Sequence, residues 1–243
     1  MLKQFKEYVS EYDMNNYNIK YKYNHSIRVE KICVELAKLL NLNKEDTQII
    51  KTIGFLHDIG RFEQLRLTNS YNDTEFDHAA YGAMILFKEG LIEQFNVDPK
   101  YYDIMEFAIL NHNRFKIDDI NDERKIMFAK LIRDADKIDI FDAYTYQKSY
   151  KITDIDDEVS TEVAIQFKKH ESINRKIRKT KADLLISVIA FVFDINYKES
   201  LEIINEQKFL DELYNQINNK ERFKDYFEYA KDYIKGRIDK NVR

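Results

Sequence analysis

The stretch GFLHDIGRFEQ, residues 54–64, ends an apolar run with an imidazole and a carboxylate side by side, His57 and Asp58. Gly54 and Gly60 flank the pair, in a chain of 243 residues that has only five glycines. Two polar residues at this point fit a helix end returning to water. They equally fit two inward side chains holding a metal ion. An adjacent His-Asp pair does not separate these readings, so the decision rests on whether other ligands converge on the same place.

Working outward, the pair closes a helix that opens at Asn43, where Asp46 three residues on makes a capping-box-like start, and that carries Ile49, Ile50 and Ile53. Before it, a helix from about His25 places Val29, Ile32, Leu36 and Leu39 on one stripe. Residues 2–12 form another, with Leu2, Phe5, Val9 and Tyr12. After it, RLTNSYNDTEFD (66–77) reads as a loop before a helix over 78–89 that Gly90 could end. Asp98-Pro99 starts a helix carrying Ile104, Ala108 and His112, and one from about 122 carries Ile126, Ala129, Ile132 and Asp136. Residues 147–160 read as irregular. Three or four further helices fill 161–240, and the aromatic stripe Phe223, Tyr226, Phe227 and Ile234 belongs to their core.

Composition agrees with an all-α chain. Five Gly and one Pro in 243 residues lie far below ordinary usage of about 7% and 5%. The length is enough to bury a substantial core in one domain, 1–243. A net charge of −4 without a long like-charge block argues against an extended nucleic-acid surface. The lone Cys33 lies in the apolar pattern ICVELAKLL, reads as packing, and suits a reducing compartment. The N-terminus has no secretory apolar region, and ADLLISVIAFVFDI (182–195) is too short to span a membrane and contains Asp183. The expectation is a soluble cytoplasmic protein.

Four of the five histidines fall within the first 112 residues. His25, His57 and His112 each prolong the apolar stripe of their own helix, and Asp136 does so on its helix, so each should point inward. A buried carboxylate is costly unless paired or coordinated. For any one histidine an isolated core contact is the simpler reading; for four inward residues from separate helices, together with Asp58, one shared ion explains more. His and Asp without thiolates suit Fe, Mn, Zn, Ni or Co.

The order His25, then His57-Asp58, then Asp136 resembles the HD-domain metal-dependent phosphohydrolases, all-helical proteins named for that pair. The contexts FLHDIGRF, DHAAYGA, ILNHN and RDADKIDIFDA stand where such proteins carry their motifs. The resemblance covers roughly 20–145, and AFVFDIN (190–196) resembles the C-terminal extension of one bacterial-type subgroup. It implies an HD-type helical bundle with a helical extension over about 160–240. It also implies His25, His57, Asp58 and Asp136 as ligands of a first divalent metal, with His78 and His112 in the two extra positions of two-metal members. His78, opening its helix behind Asp77, equally reads as a helix-start polar residue.

Arg61 stands where many members place a lysine on the substrate phosphate, and an arginine keeps that charge while adding a bidentate fork. Lys137 and Arg133 flank Asp136 and read as pocket cations or as solvated charges. Asp139, one turn on, could orient a ligand. Arg114 and Lys116 are substrate contacts by proximity to His112 only. RKIRKTK (175–181) reads as a wet helical face and His170 as exposed. The candidate catalytic groups are thus Asp58, Arg61 and Lys137, and the candidate substrate contacts are Arg61, Arg133, Lys137 and Arg114. The function implied is hydrolysis of a phosphomonoester or phosphodiester in a small, nucleotide-like substrate, by water activated on one ion or two. A di-iron oxygenase uses the same six-residue set in some HD-fold proteins, and a non-catalytic nucleotide sensor is the third reading.

Overall fold

The structure, a computed structural model, describes residues 1–150 and 152–240. Its helices and short 3-10 or π turns include no strand among the described residues, which is the all-α class expected from the scarcity of Gly and Pro. The chain divides into two compact units, Met1–Ala135 and Asp136–Arg243.

The first unit holds α1 (Leu2–Val9), α2 (Tyr17–Leu39), α3 (Lys44–Leu56), α4 (Gly60–Thr68), α5 (His78–Ala83) and α6 (Tyr102–Asn111); α7 (Glu123–Tyr144) then carries the chain on into the second. Helix α1 is shorter than its apolar pattern: Phe5 and Val9 are buried, but Leu2 is exposed and Tyr12 lies beyond the helix. Helix α2 begins eight residues before His25, because the Asn16 side chain accepts from the backbone N–H of Asn18 and Ile19. At α3 the expected start holds: Asn43 accepts from the Asp46 N–H and donates to its carboxylate. Helix α4 runs into the segment read as loop and ends where Asn69 turns left-handed, at φ 47°. The helix expected over 78–89 is α5 continued by a π turn, Met84–Lys88, before Gly90 at φ +79°.

Two close approaches place the end of α3. A Cβ on Gly54 would lie 2.7 Å from the Cys33 Sγ, so the missing side chain lets α3 settle against α2, and Cys33 is fully buried as packing. A Cβ on Gly60 would lie 2.1 Å from the carbonyl oxygen of His78 and 2.8 Å from the Gly82 nitrogen. Backbone therefore meets backbone where α4 and α5 cross, and that crossing carries His78 to Asp58. The turn is clamped from outside by Phe5, whose ring stands 4.6 Å from Phe55 and 5.7 Å from Phe62.

The second unit holds the end of α7 and then α8 (Thr161–Lys168), α9 (Lys181–Ile189), α10 (Lys198–Glu206), α11 (Phe209–Asn215) and α12 (Lys224–Asp239). This is more helices than the pattern over 161–240 suggested, because 3-10 turns and short breaks divide it. Residues 147–160 are irregular as expected, with Lys151 outside the described residues. RKIRKTK is not a helical face but a 3-10 turn, Arg175–Ile177, leading to the Thr180 cap of α9. Buried Asp183 is part of that cap: it accepts from the N–H of Ser160, Lys179 and Thr180 and from the Ser160 hydroxyl. Phe223, Phe227 and Ile234 are buried and Tyr226 half-buried, so the aromatic stripe is core. No described helix is long and apolar enough to cross a membrane.

Gly60→Ala should destabilise the protein by about 1–3 kcal/mol, the usual cost of overpacking, because the clash is with backbone and no side chain can swing aside. Denaturant unfolding of the variant against the parent measures this, and equal midpoints would show that α4 and α5 can separate freely.

Candidate metal centre

Histidine 57 caps the end of α3 and Asp58 lies in the turn before α4; both are buried. His25 in mid-α2, His78 at the first position of α5 and His112 at the end of α6 are buried as well. His78 is thus no solvated helix-start residue, although Asp77 does cap its helix as the sequence suggested.

Asp58 divides the histidines into two pairs. Its Oδ2 lies 3.3 Å from His25 Nε2 and 3.6 Å from His57 Nε2, and those two nitrogens are 3.3 Å apart. Its Oδ1 lies 3.1 Å from His78 Nε2 and 3.5 Å from His112 Nε2, which are 3.0 Å apart. His57, Asp58 and His112 also form one group whose ligand atoms all lie within 4.8 Å of one another.

The outward nitrogens determine what the inward ones can do. His57 Nδ1 lies 2.8 Å from the carbonyl of Gly54 and His112 Nδ1 lies 2.7 Å from that of Ile109. A carbonyl oxygen can only accept, so each Nδ1 carries the proton and, in the neutral ring, Nε2 presents a bare lone pair. His78 Nδ1 is 2.7 Å from the Asp73 carboxylate, which imposes the same tautomer. Burial pushes His112 down to about 4, so at neutral pH its ring is uncharged. Burial of Asp58 acts to raise its pKa, but the Lys22 ammonium 2.6 Å away leads the groups that outweigh it, and the carboxylate stays well below its usual range. The lone pairs of His57, His78 and His112 consequently face one another and a carboxylate. A proton can relieve one such contact; a cation relieves the whole set. Donors about 2.1 Å from a common ion at octahedral or tetrahedral angles stand roughly 3.0–3.4 Å apart, and the two histidine pairs fall in that range. The donor set fits a divalent metal.

Around it stand groups of both kinds, expected and unexpected. Arg61 is buried, its Nη1 2.6 Å and Nη2 3.3 Å from Asp73 and its Nε 3.6 Å from Asp58 Oδ1 with no hydrogen-bond partner. Arg133 is no solvated charge. It is buried, and its Nη1 donates to the carbonyls of Asn111 and Arg114, fixing the end of α6 where His112 sits. Arg114 pairs with Asp118 at the surface, and Lys116 is exposed. In the second unit Asp136 is half-buried on α7, Lys137 lies 2.7 Å from Asp194, Asp139 is buried, and His170 is exposed as expected. Sequence reasoning missed Lys22, buried and 2.6 Å from Asp58 Oδ2; its place three residues before His25, on the same helical face, was the available signal. It also missed Asp73 and Gln64, which donates to the carbonyls of Asn72 and Phe76 and so holds the 69–77 segment in place.

Residues 23–141 match the model of the HD domain family, so this part of the chain belongs to the superfamily of HD metal-dependent phosphohydrolases. No curated protein and no solved structure matches the chain. HD domains bind divalent metals and are usually hydrolases, which together with the buried His and Asp groups points to a metal-dependent, hydrolase-type function.

The metal-free protein should lose stability as pH falls from about 6.5 to about 4. In that window the unfolded chain takes a proton on His112 that the folded chain, with its depressed pKa, refuses. Urea unfolding at a series of pH values measures this, and His112→Gln should flatten part of the slope.

Proposed function

We propose that the protein is a metal-dependent phosphohydrolase acting on a phosphomonoester or phosphodiester of a small, nucleotide-like molecule. The carrying observation is the buried set of inward lone pairs around Asp58, with two cations, Lys22 and Arg61, against the same carboxylate. In this reading His25, His57 and Asp58 hold a first ion of Fe, Mn, Zn, Ni or Co. Asp136 completes it, included on the order of the sequence motifs alone. His78 and His112 would hold a second, together with Asp58. A metal held there would supply a water of pKa lowered toward about 7 and offset phosphoryl charge. The chain's own groups do the rest. Lys22 Nζ is drawn to Asp58 and can turn its remaining protons to a phosphoryl oxygen, and the buried Arg61 Nε–H offers an unused donor. Two cations beside the ligands favour an anionic substrate. Arg133 and Arg114, each already engaged by other groups, would act at most at the edge of such a site, and Lys137, paired with Asp194, enters on its place in the sequence motif alone.

The test is a screen of metal-reconstituted protein against nucleotides, cyclic dinucleotides and simple phosphate esters, with metal analysis of the same sample. Hydrolysis of at least one class is expected, and Asp58→Ala should lose metal and activity while helical circular dichroism survives. Consumption of dioxygen with no phosphate released would overturn the reading in favour of an oxygenase.

Lys22→Met removes the ammonium and keeps the chain. Metal content should persist while hydrolysis falls on the order of 10²-fold, comparable to loss of an oxyanion donor. Parent-like turnover would remove Lys22 from the substrate site.

A further inference from the structure

The histidines of the cluster are not held alike. His57 and His112 direct their outer nitrogens to carbonyls of their own helices, Gly54 and Ile109, bonds that form wherever the helix end forms. His78 begins its helix and has no preceding turn to lean on. Its Nδ1 instead reaches a side chain from the loop between α4 and α5, the Asp73 carboxylate at 2.7 Å. That carboxylate is itself fastened. Arg61 donates to both its oxygens, at 2.6 and 3.3 Å, and Gln64 Nε2 lies 3.2 Å from Oδ1. Arg61 and Gln64 are both buried, and the Gln64 side-chain oxygen accepts from Arg61 at 2.6 Å. So much hydrogen bonding around one loop carboxylate is more than closing a surface loop requires.

We infer that Asp73 is a positioning residue for the metal centre: it fixes the tautomer and aim of His78 so that Nε2 faces the ion, and Arg61 fixes Asp73 in turn. The physical reason is that a carboxylate on the far nitrogen of an imidazole locks the proton there, stops ring rotation and raises the basicity of the ligating nitrogen. A neutral, unanchored His78 could flip or present Nε2–H, which binds no metal. Arg61 serves two ends of one guanidinium, its Nη groups on Asp73 and its Nε toward Asp58. The inference rests on the metal-binding part of the proposed function and not on the reaction.

The test is therefore made without substrate, by titrating metal-free protein with Mn²⁺ and following the heat of binding. The parent should show two binding events, of which His78→Ala abolishes one. Asp73→Asn keeps the shape of the side chain and removes its charge. It should weaken that same event on the order of 10–100-fold, the usual effect of losing a ligand's supporting carboxylate, and leave the other within about twofold. Arg61→Ala should weaken the same event in the same direction with no phosphate present. The metal-free parent should also show a far-downfield ring N–H proton resonance that is absent in His78→Ala and moves upfield in Asp73→Asn. A single event in the parent, unchanged affinity in Asp73→Asn, or equal weakening of both events would each overturn the inference. Because hydrolysis is not measured, these outcomes are independent of whether a phosphate ester is the substrate.

Discussion

The rest of the first unit depends on one buried carboxylate surrounded by four imidazoles. Asp58 is almost fully removed from water, and a charge in that position is tolerated only with strong partners. Lys22 supplies one, while the tautomers of His57, His78 and His112 turn lone pairs rather than protons toward it. Such an arrangement is poor as a structural core and good as a receptacle for a cation. Each helix that contributes to it, α2, α3, α5 and α6, is positioned by its own apolar face, and the polar centre is what those faces converge on.

The flanking glycines answer why the pair stands where it does. Gly54 brings α3 against Cys33 on α2, and Gly60 brings α4 against the backbone of α5. A methyl group at Gly60 would overlap the backbone of His78 and one at Gly54 the sulfur of Cys33, so at either place the packing would have to shift. The same reasoning assigns Arg133 a supporting part. Its guanidinium satisfies carbonyls at the end of α6, the place where a helix leaves acceptors without partners, and so holds the backbone of His112.

Charge near the centre is tightly constrained by its partners. Arg61 is bound through its Nη groups to a neighbouring aspartate and keeps only Nε without a hydrogen bond. Lys22 has Asp58 as its anion, which metal binding would claim in part. The aromatic face of Tyr71 lies over both cations, 5.6 Å from the Lys22 ammonium and 5.8 Å from the Arg61 guanidinium, and lets two like charges share a buried region.

The sequence by itself determined the helical class, the inward direction of His25, His57 and His112, and the HD-domain membership of residues 23–141. The first two follow from local rules: few helix breakers, apolar residues at 3.6-residue spacing, and caps such as Asn43 and Asp98 that act within four residues of themselves; the third rests on the ordered His and Asp motifs. Helix α2 starts at its Asn16 cap and α4 ends at Thr68, both beyond the limits of the apolar pattern, and the C-terminal pattern conceals its breaks. Only the tertiary structure decided that Lys22 reaches Asp58, that Asp73 crosses from a loop to His78 and Arg61, and that Arg133 turns inward to cap α6. Those contacts join residues 36, 5, 12 and 22 positions apart through the closing of helices on one another, and a long flexible side chain carries no periodic mark of which neighbour it will meet.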